Sequence, residues 1–279
     1  LENCGVPILV EAYRDEAGKM DFEHRRDSLC GKIAMCNVLR QHKLKYTLFQ
    51  PFTCNPTDPE FKEHIEKFAA ICRVVNGMKR CNIGAIGART TAFKTVRFDE
   101  IAMQNVGINV ETIDLAEVFA RMEKIEQERV DAKVIDYLAI TDFGKYPMKK
   151  LETIARIGVV IDDLIAENDL QGVALRCWNE FETKFGVAPC LVLCDLNERG
   201  IAASCELDVN NTVMTRAITL AAAHPTMLLD VNNNFGQDPN KCILFHCGPV
   251  PISMTQGKGT TIEHLMFKKS FGEGSGVGV

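Results

Sequence analysis

Short apolar runs alternate with longer stretches of helical period along most of this chain. Val6 to Ala12, Cys81 to Ile86, Gly172 to Cys177, Pro189 to Cys194 and Lys241 to His246 read as strands, and Ile108 to Ile113 alternates toward one. Between them, Arg26 to Gln41, Pro59 to Gly77, Leu115 to Ile140, Met148 to Asn168 and Val209 to Ala222 carry apolar residues spaced for helices. Asp58 stands before Pro59, the favoured arrangement at a helix start. The stripe Phe61, Ile65, Phe68, Ala69, Cys72 and Val75 is expected in the core. Strand and helix in regular alternation imply an α/β fold with a mainly parallel sheet.

With 46% hydrophobic and 25% charged residues, the 279-residue chain has the balance of a globular protein of one large or two ordinary domains. A net charge of −5 without a basic stripe argues against nucleic acid as a partner. No apolar run reaches the roughly 20 residues that span a bilayer, which argues against a membrane partner. The twelve cysteines are scattered through apolar segments and read as buried thiols of a reducing, cytoplasmic compartment. Cys190/Cys194 and Cys242/Cys247 invite a zinc reading, but their spacings fit it poorly, and Cys190 and Cys194 fall within an expected strand. There is no P-loop, no Gly-x-Ser-x-Gly elbow and no full dinucleotide fingerprint.

Chemistry concentrates between Ser204 and Asp230. Glu206 ends one apolar segment and Asp230 ends the next, with a helix between them expected to bury Val209, Val213, Met214, Ala217, Ile218 and Ala221. Such a helix can return the chain so that both strand ends meet at one sheet edge, where open α/β sheets bind ligands. Two carboxylates there can hold a hard divalent cation and exchange protons with a sugar. The plain alternative is a pair of solvated loop acids. Gly84-Ala-Ile-Gly87-Ala-Arg89 follows the strand-to-turn logic of a hydroxyl or phosphate cradle. Trp178, the only tryptophan, stands at a strand end, where its ring can stack on a sugar or cap the core.

The segments Cys205-Glu206-Leu207-Asp208 and Leu228-Leu229-Asp230-Val231 resemble those of the L-fucose isomerase-like family, which includes L-fucose isomerase and, more distantly, L-arabinose isomerase. Asp27-Ser28-Leu29-Cys30-Gly31, the run Ile86 to Glu100 and the Cys177-Trp178 pair are similar to family segments too. Asn210-Asn211-Thr212 departs from the Gly-Ala pair and Thr-Met expected there. The resemblance implies Rossmann-like domains flanked by helices: the end of a first domain (1–57), a second α/β domain (58–221) and the start of a β-rich C-terminal domain (222–279). Family members are longer at both ends, so the chain reads as a piece of such a protein.

The resemblance further implies a metal-dependent aldose–ketose isomerase working through an ene-diol. Glu206 and Asp230 would be both manganese ligands and proton carriers, and the sugar would be of the L-fucose or L-arabinose type. The family's third ligand is a histidine toward the carboxyl terminus. His246 is the nearest candidate, and the true ligand is expected past Val279. Arg89 and Trp178 would face substrate, and a homo-oligomer, hexameric or trimer-based, is expected. The alternatives are a non-catalytic sugar-binding α/β protein and an isomerase for a modified sugar.

Overall fold

The computed structural model describes residues 5–274 and 276–278. The chain divides into two compact units, Leu1–Asn76 and Gly77–Val279. Among the described residues no helix is long and apolar enough to cross a membrane.

The first unit is built on α1 (Ser28–Gln41) and the greater part of α2 (Pro59–Met78). Val6 to Ala12 forms no full strand there. Leu9 alone bridges Thr47, with Val10 N–H donating to the Thr47 carbonyl at 3.2 Å and Thr47 N–H to that of Ile8 at 2.8 Å. The α2 stripe is also not the expected core. Ile65 and Val75 are over 40% exposed, and the buried residue of this helix is His64. Buried alongside it are Lys32, Cys36, Leu39 and Cys54, so this unit encloses polar groups as well as apolar ones.

In the second unit a four-stranded parallel sheet has the order β2-β1-β4-β5, formed by β1 (Cys81–Ile86), β2 (Ile108–Ile113), β4 (Gly172–Leu175) and β5 (Ala202–Ser204). This is the α/β architecture expected from the alternation. Period-two geometry sends alternate residues to opposite faces. Ile86, Val173 and Leu175 join one core with α4 (Leu115–Met122), α5 (Gln127–Ile140), α6 (Met148–Glu167), α7 (Glu180–Phe185) and α8 (Cys190–Glu198). Cys81, Ile83, Ala85 and Ala174 join a second core with Val209 of α9 (Val209–Ala222) and Met103 of α3 (Glu100–Gln104). Helices therefore cover both faces, which explains why the strands read as continuous apolar runs.

Several expectations are corrected. Leu115 to Ile140 is not one helix: α4 ends at Met122 and α5 starts at Gln127. Between them Ile125 turns inward, and the Arg156 guanidinium donates to the carbonyls of Met122 (3.5 Å) and Ile125 (3.2 Å), satisfying groups that an unbroken helix would have paired. Pro189 to Cys194 is not a strand. Cys190 opens α8 behind Pro189, and Cys190 to Cys194 are all buried. An apolar run this short fits a helix buried on all sides as well as a strand, so periodicity could not separate them.

The helix α9 has the expected bounds but a different inner face. Val209, Thr212 and Thr215 are buried, whereas Met214 and Ile218 are half exposed. Thr212 packs on Gly172, where an added Cβ would come within 2.8 Å of its methyl, so the approach to β4 is set by small residues. Beyond it, β6 (Asp230–Asn234) does not join the parallel sheet. It pairs antiparallel with β7 (Cys242–Phe245) as an exposed ribbon, so Asp230 starts a strand instead of ending one. The remaining short strands pair as β3 (Thr141–Asp142) with β8 (Gly259–Thr260), and β9 (Ile262–Glu263) with β10 (Val277–Gly278). The short helix α10 (Leu265–Phe271) lies between the last two.

Candidate active site

The sheet order places a switch of winding direction between β1 and β4, the position at the carboxyl ends of strands where open α/β sheets bind ligands. Arg176, just past β4, spans that point. Its guanidinium donates to the Ala88 carbonyl (3.1 Å), to the Trp178 carbonyl (2.7 Å) and to Glu180 (2.7 Å). Arg89 lies on the opposite loop with its guanidinium turned back onto the carbonyls of Thr90 and Thr91, at 3.0 and 3.1 Å. Trp178 is held edge-on between Phe93 (5.1 Å between ring centres) and Phe267 (5.6 Å). Its ring is therefore part of an aromatic packing cluster.

Glu206 follows β5 in a tight turn. Both Glu206 and Leu207 adopt left-handed backbone, φ 62 and 61, which costs an ordinary L-residue about 1–2 kcal/mol each. Neighbouring strands hold the turn. Glu206 N–H meets the Cys177 sulfur at 3.4 Å, and Leu207 N–H donates to the Leu175 carbonyl at 3.3 Å. Asp208 then caps α9, accepting from Asn211 N–H at 3.0 Å. Backbone held in a sparsely populated conformation between a strand and a cap is characteristic of functional turns. Burial raises the Glu206 carboxyl above its ordinary range, and Cys247, Asp230 and Asp208 push it the same way while His246 opposes them. Glu206, Asp230 and His246 therefore feel one another's charge.

His246 lies immediately after β7, with its Nε2 3.2 Å from the Cys205 sulfur. Burial alone would lower the ring's pKa. Cys247, Asp230 and Glu206 outweigh it, and the balance is raised. The Cys190 thiol and His246 beside Cys247 both lower its pKa. Phe245, His246, Cys247, Cys190 and His264 contribute to the wall of a cavity of about 490 Å3.

One buried amide fixes this arrangement. Asn197 of α8 donates to the carbonyls of Ala203 and Pro249, both at 2.9 Å, and accepts from Ala203 N–H at 2.8 Å. It joins the strand that leads into Glu206 to the loop that follows His246. Asn197→Ala leaves an N–H and two carbonyls unpaired in a 2% exposed position, which should cost about 2–4 kcal/mol. A urea titration showing a loss below 1 kcal/mol would contradict it.

In kind, two carboxylates and an imidazole suit manganese, and the negative charge gathered around the half-buried Glu206 is what a cation would offset. Their donor atoms are not drawn together as a trio. Among the described residues the His, Cys, Asp and Glu groups gathered within 4.8 Å of one another are Glu11, Cys54 and His64 in the first unit. Asn197 and Arg176 are not singled out by the sequence, where Cys205 enters only as part of the Glu206 segment and Cys247 only through a zinc reading that its spacing fits poorly. A cysteine beside each of Glu206 and His246 was the available signal.

Residues 1–79 match the family model described as the N-terminal domain of fucose/sulfoquinovose isomerase, ending one residue past α2. Over 263 residues the chain is 24% identical to the sulfoquinovose isomerase of Alkalicoccus urumqiensis, covering 92% of this chain and 57% of that protein. Over 267 residues it is 25% identical to the sulfoquinovose isomerase of Priestia megaterium, covering 91% and 56%. The chain thus spans a little over half the length of the curated relatives it matches. The resemblance carried by the Glu206 and Asp230 segments is borne out, and the chain is similar to the fucose isomerase-like proteins over about nine tenths of its length.

Proposed function

We propose that this protein interconverts an aldose and a ketose, with Glu206 and Asp230 as its proton-handling groups. The observation that carries the reading is the Glu206 turn: a strained, half-buried carboxyl at a strand end, electrostatically tied to Asp230 and His246. Isomerisation moves a proton between neighbouring carbons through an ene-diol, and a carboxyl with a raised pKa holds and releases protons nearer neutrality. Asp230, exposed on the ribbon, is the second carrier. His246, placed among negative groups, would stay charged over a wider pH range and orient a sugar oxygen. Held apart in this structure, Glu206, Asp230 and His246 would have to draw together to hold a divalent cation such as manganese, which polarises the sugar carbonyl when bound.

Sulfoquinovose, the sugar in the relatives' names, is the first substrate to test. L-Fucose and L-arabinose follow from the sequence resemblance. Exposed apolar side chains on the β6–β7 ribbon, among them Val231 at 76% and Phe245 at 55%, support a homo-oligomer that covers them. Protein stripped with chelator should turn over none of the three sugars. Added manganese should restore at least one activity by 100-fold or more in a light-scattering peak larger than a monomer. No turnover on any of them with manganese present would refute the isomerase, and an active monomer would refute the assembly.

A further inference from the structure

Outside the candidate isomerase site, the first unit gathers a second set of donors. Glu11 comes from the segment that bridges Thr47, Cys54 from the loop before α2, and His64 from α2 itself. The Cys54 sulfur lies 3.7 Å from Glu11 Oε2 and 3.8 Å from His64 Nδ1, and that nitrogen lies 3.0 Å from Glu11 Oε1. Cys54 and His64 are 2% and 1% exposed. We propose that Glu11, Cys54 and His64 bind a zinc ion that staples these three segments together.

The spacing supports it. Tetrahedral zinc with bonds of ~2.3 Å to sulfur and ~2.0–2.2 Å to nitrogen and oxygen sets its donors about 3.4–3.6 Å apart. The sulfur lies close to that distance from His64 Nδ1 and from Glu11 Oε2, while His64 Nδ1 meets the other carboxylate oxygen, Oε1, and needs to open from it by a few tenths of an ångström, so the carboxylate faces the ion with both oxygens. The chemistry of His64 supports it independently. Its Nε2 lies 3.0 Å from the Gln50 carbonyl, which can only accept, so Nε2 carries the hydrogen. In the neutral ring Nδ1 then presents a lone pair directly to a carboxylate oxygen. Those two groups stay together only with a positive centre between them, either a proton or a metal. A proton joins two of the three donors, whereas a metal joins all three. A ring N–H anchored on a backbone carbonyl is also how metal-binding histidines are usually oriented.

Lys32 decides which metal. Its ammonium lies 3.6 Å from Glu11 Oε2 and donates to the Phe52 carbonyl at 2.7 Å. A positive neighbour weakens binding of an ion held by charge alone, such as magnesium or manganese. It matters less for an ion bonded strongly to thiolate and imidazole, so this set selects zinc.

The test uses the whole chain, stripped of metal and then given zinc alone. One equivalent should bind tightly, ahead of any zinc taken up by Glu206, Asp230 and His246, and X-ray absorption at that single equivalent should give one sulfur with the remaining shell nitrogen and oxygen. Cys54→Ser and His64→Gln should each weaken zinc at least 100-fold, while Cys247→Ser leaves it unchanged. No zinc uptake, a shell with two or more sulfurs, or loss of zinc in Cys247→Ser would overturn the proposal. The sulfur count on the unaltered protein decides it even if the variants fold poorly.

Discussion

Glu206→Gln should lower isomerase turnover by about 100-fold to 10,000-fold, the usual contribution of a positioned acid–base group. Glutamine keeps the size and the hydrogen-bonding reach of the side chain but cannot exchange a proton. It also removes one negative charge from the group formed with Asp230 and Cys247, so the manganese needed for half-maximal activity should rise. The turn itself rests on backbone contacts to Cys177 and Leu175, which the substitution leaves in place. Far-UV circular dichroism should therefore be unaltered. Asp230→Asn should behave alike. Asp208→Asn is the informative control: Asp208 is spent on capping Asn211 N–H, and asparagine also caps well. Its turnover should stay within ten-fold of the parent. If Glu206→Gln works at near the parent rate, the assignment of the proton carrier is wrong.

Stability should fall as pH rises from about 4.5 to about 8, and Glu182→Gln should abolish much of that slope. Glu182, in the first turn of α7, is 2% exposed and neither carboxyl oxygen has a hydrogen-bond partner. Burial raises its pKa from an ordinary 4.5 to about 8. Between those values the folded protein keeps a proton that the unfolded chain releases, so each step up in pH favours unfolding. Below 4.5 both states are protonated, and the stability linked to this group is fully present. Above 8 both are ionised and the loss is complete, on the order of 4 kcal/mol. Glutamine cannot ionise. The cost of burying its amide is the same at every pH, so the comparison is between slopes. Urea midpoints of parent and variant at pH 5 and pH 8.5 measure them. Parallel lines for the two proteins would show that Glu182 does not carry the effect.

The strands of the parallel sheet and most of the helices were legible because burial on both faces leaves an unbroken apolar signature, as in Cys81 to Ile86. That same signature misled at Cys190 to Cys194, where a helix buried all round presents the run of a strand. Met227-Leu228-Leu229 ahead of Asp230 gives it the local pattern of a strand end. Its pairing with Phe245 depends on a chain reversal that no local pattern announces. Glu206 was legible through a motif. The left-handed backbone that presents it was not, because neither Glu206 nor Leu207 is a residue that favours such a conformation. The polar core of the first unit was hidden for a different reason: Glu11, Cys54 and His64 are far apart in sequence and meet only in the folded chain.

The Asn197 bridge separates what must stay constant in this site from what is free to vary. Because α8 grips both the strand before Glu206 and the Pro249 loop after His246, the distance between those two ends does not depend on the chain that runs between them. Much of that intervening stretch, from the outer face of α9 through the ribbon turn at Phe235 to Asn240, is exposed. Apart from Asp230 itself, its length and sequence can change or acquire new recognition surfaces without moving Glu206 against His246. A lineage of such proteins can change what approaches the site while inheriting the site itself intact.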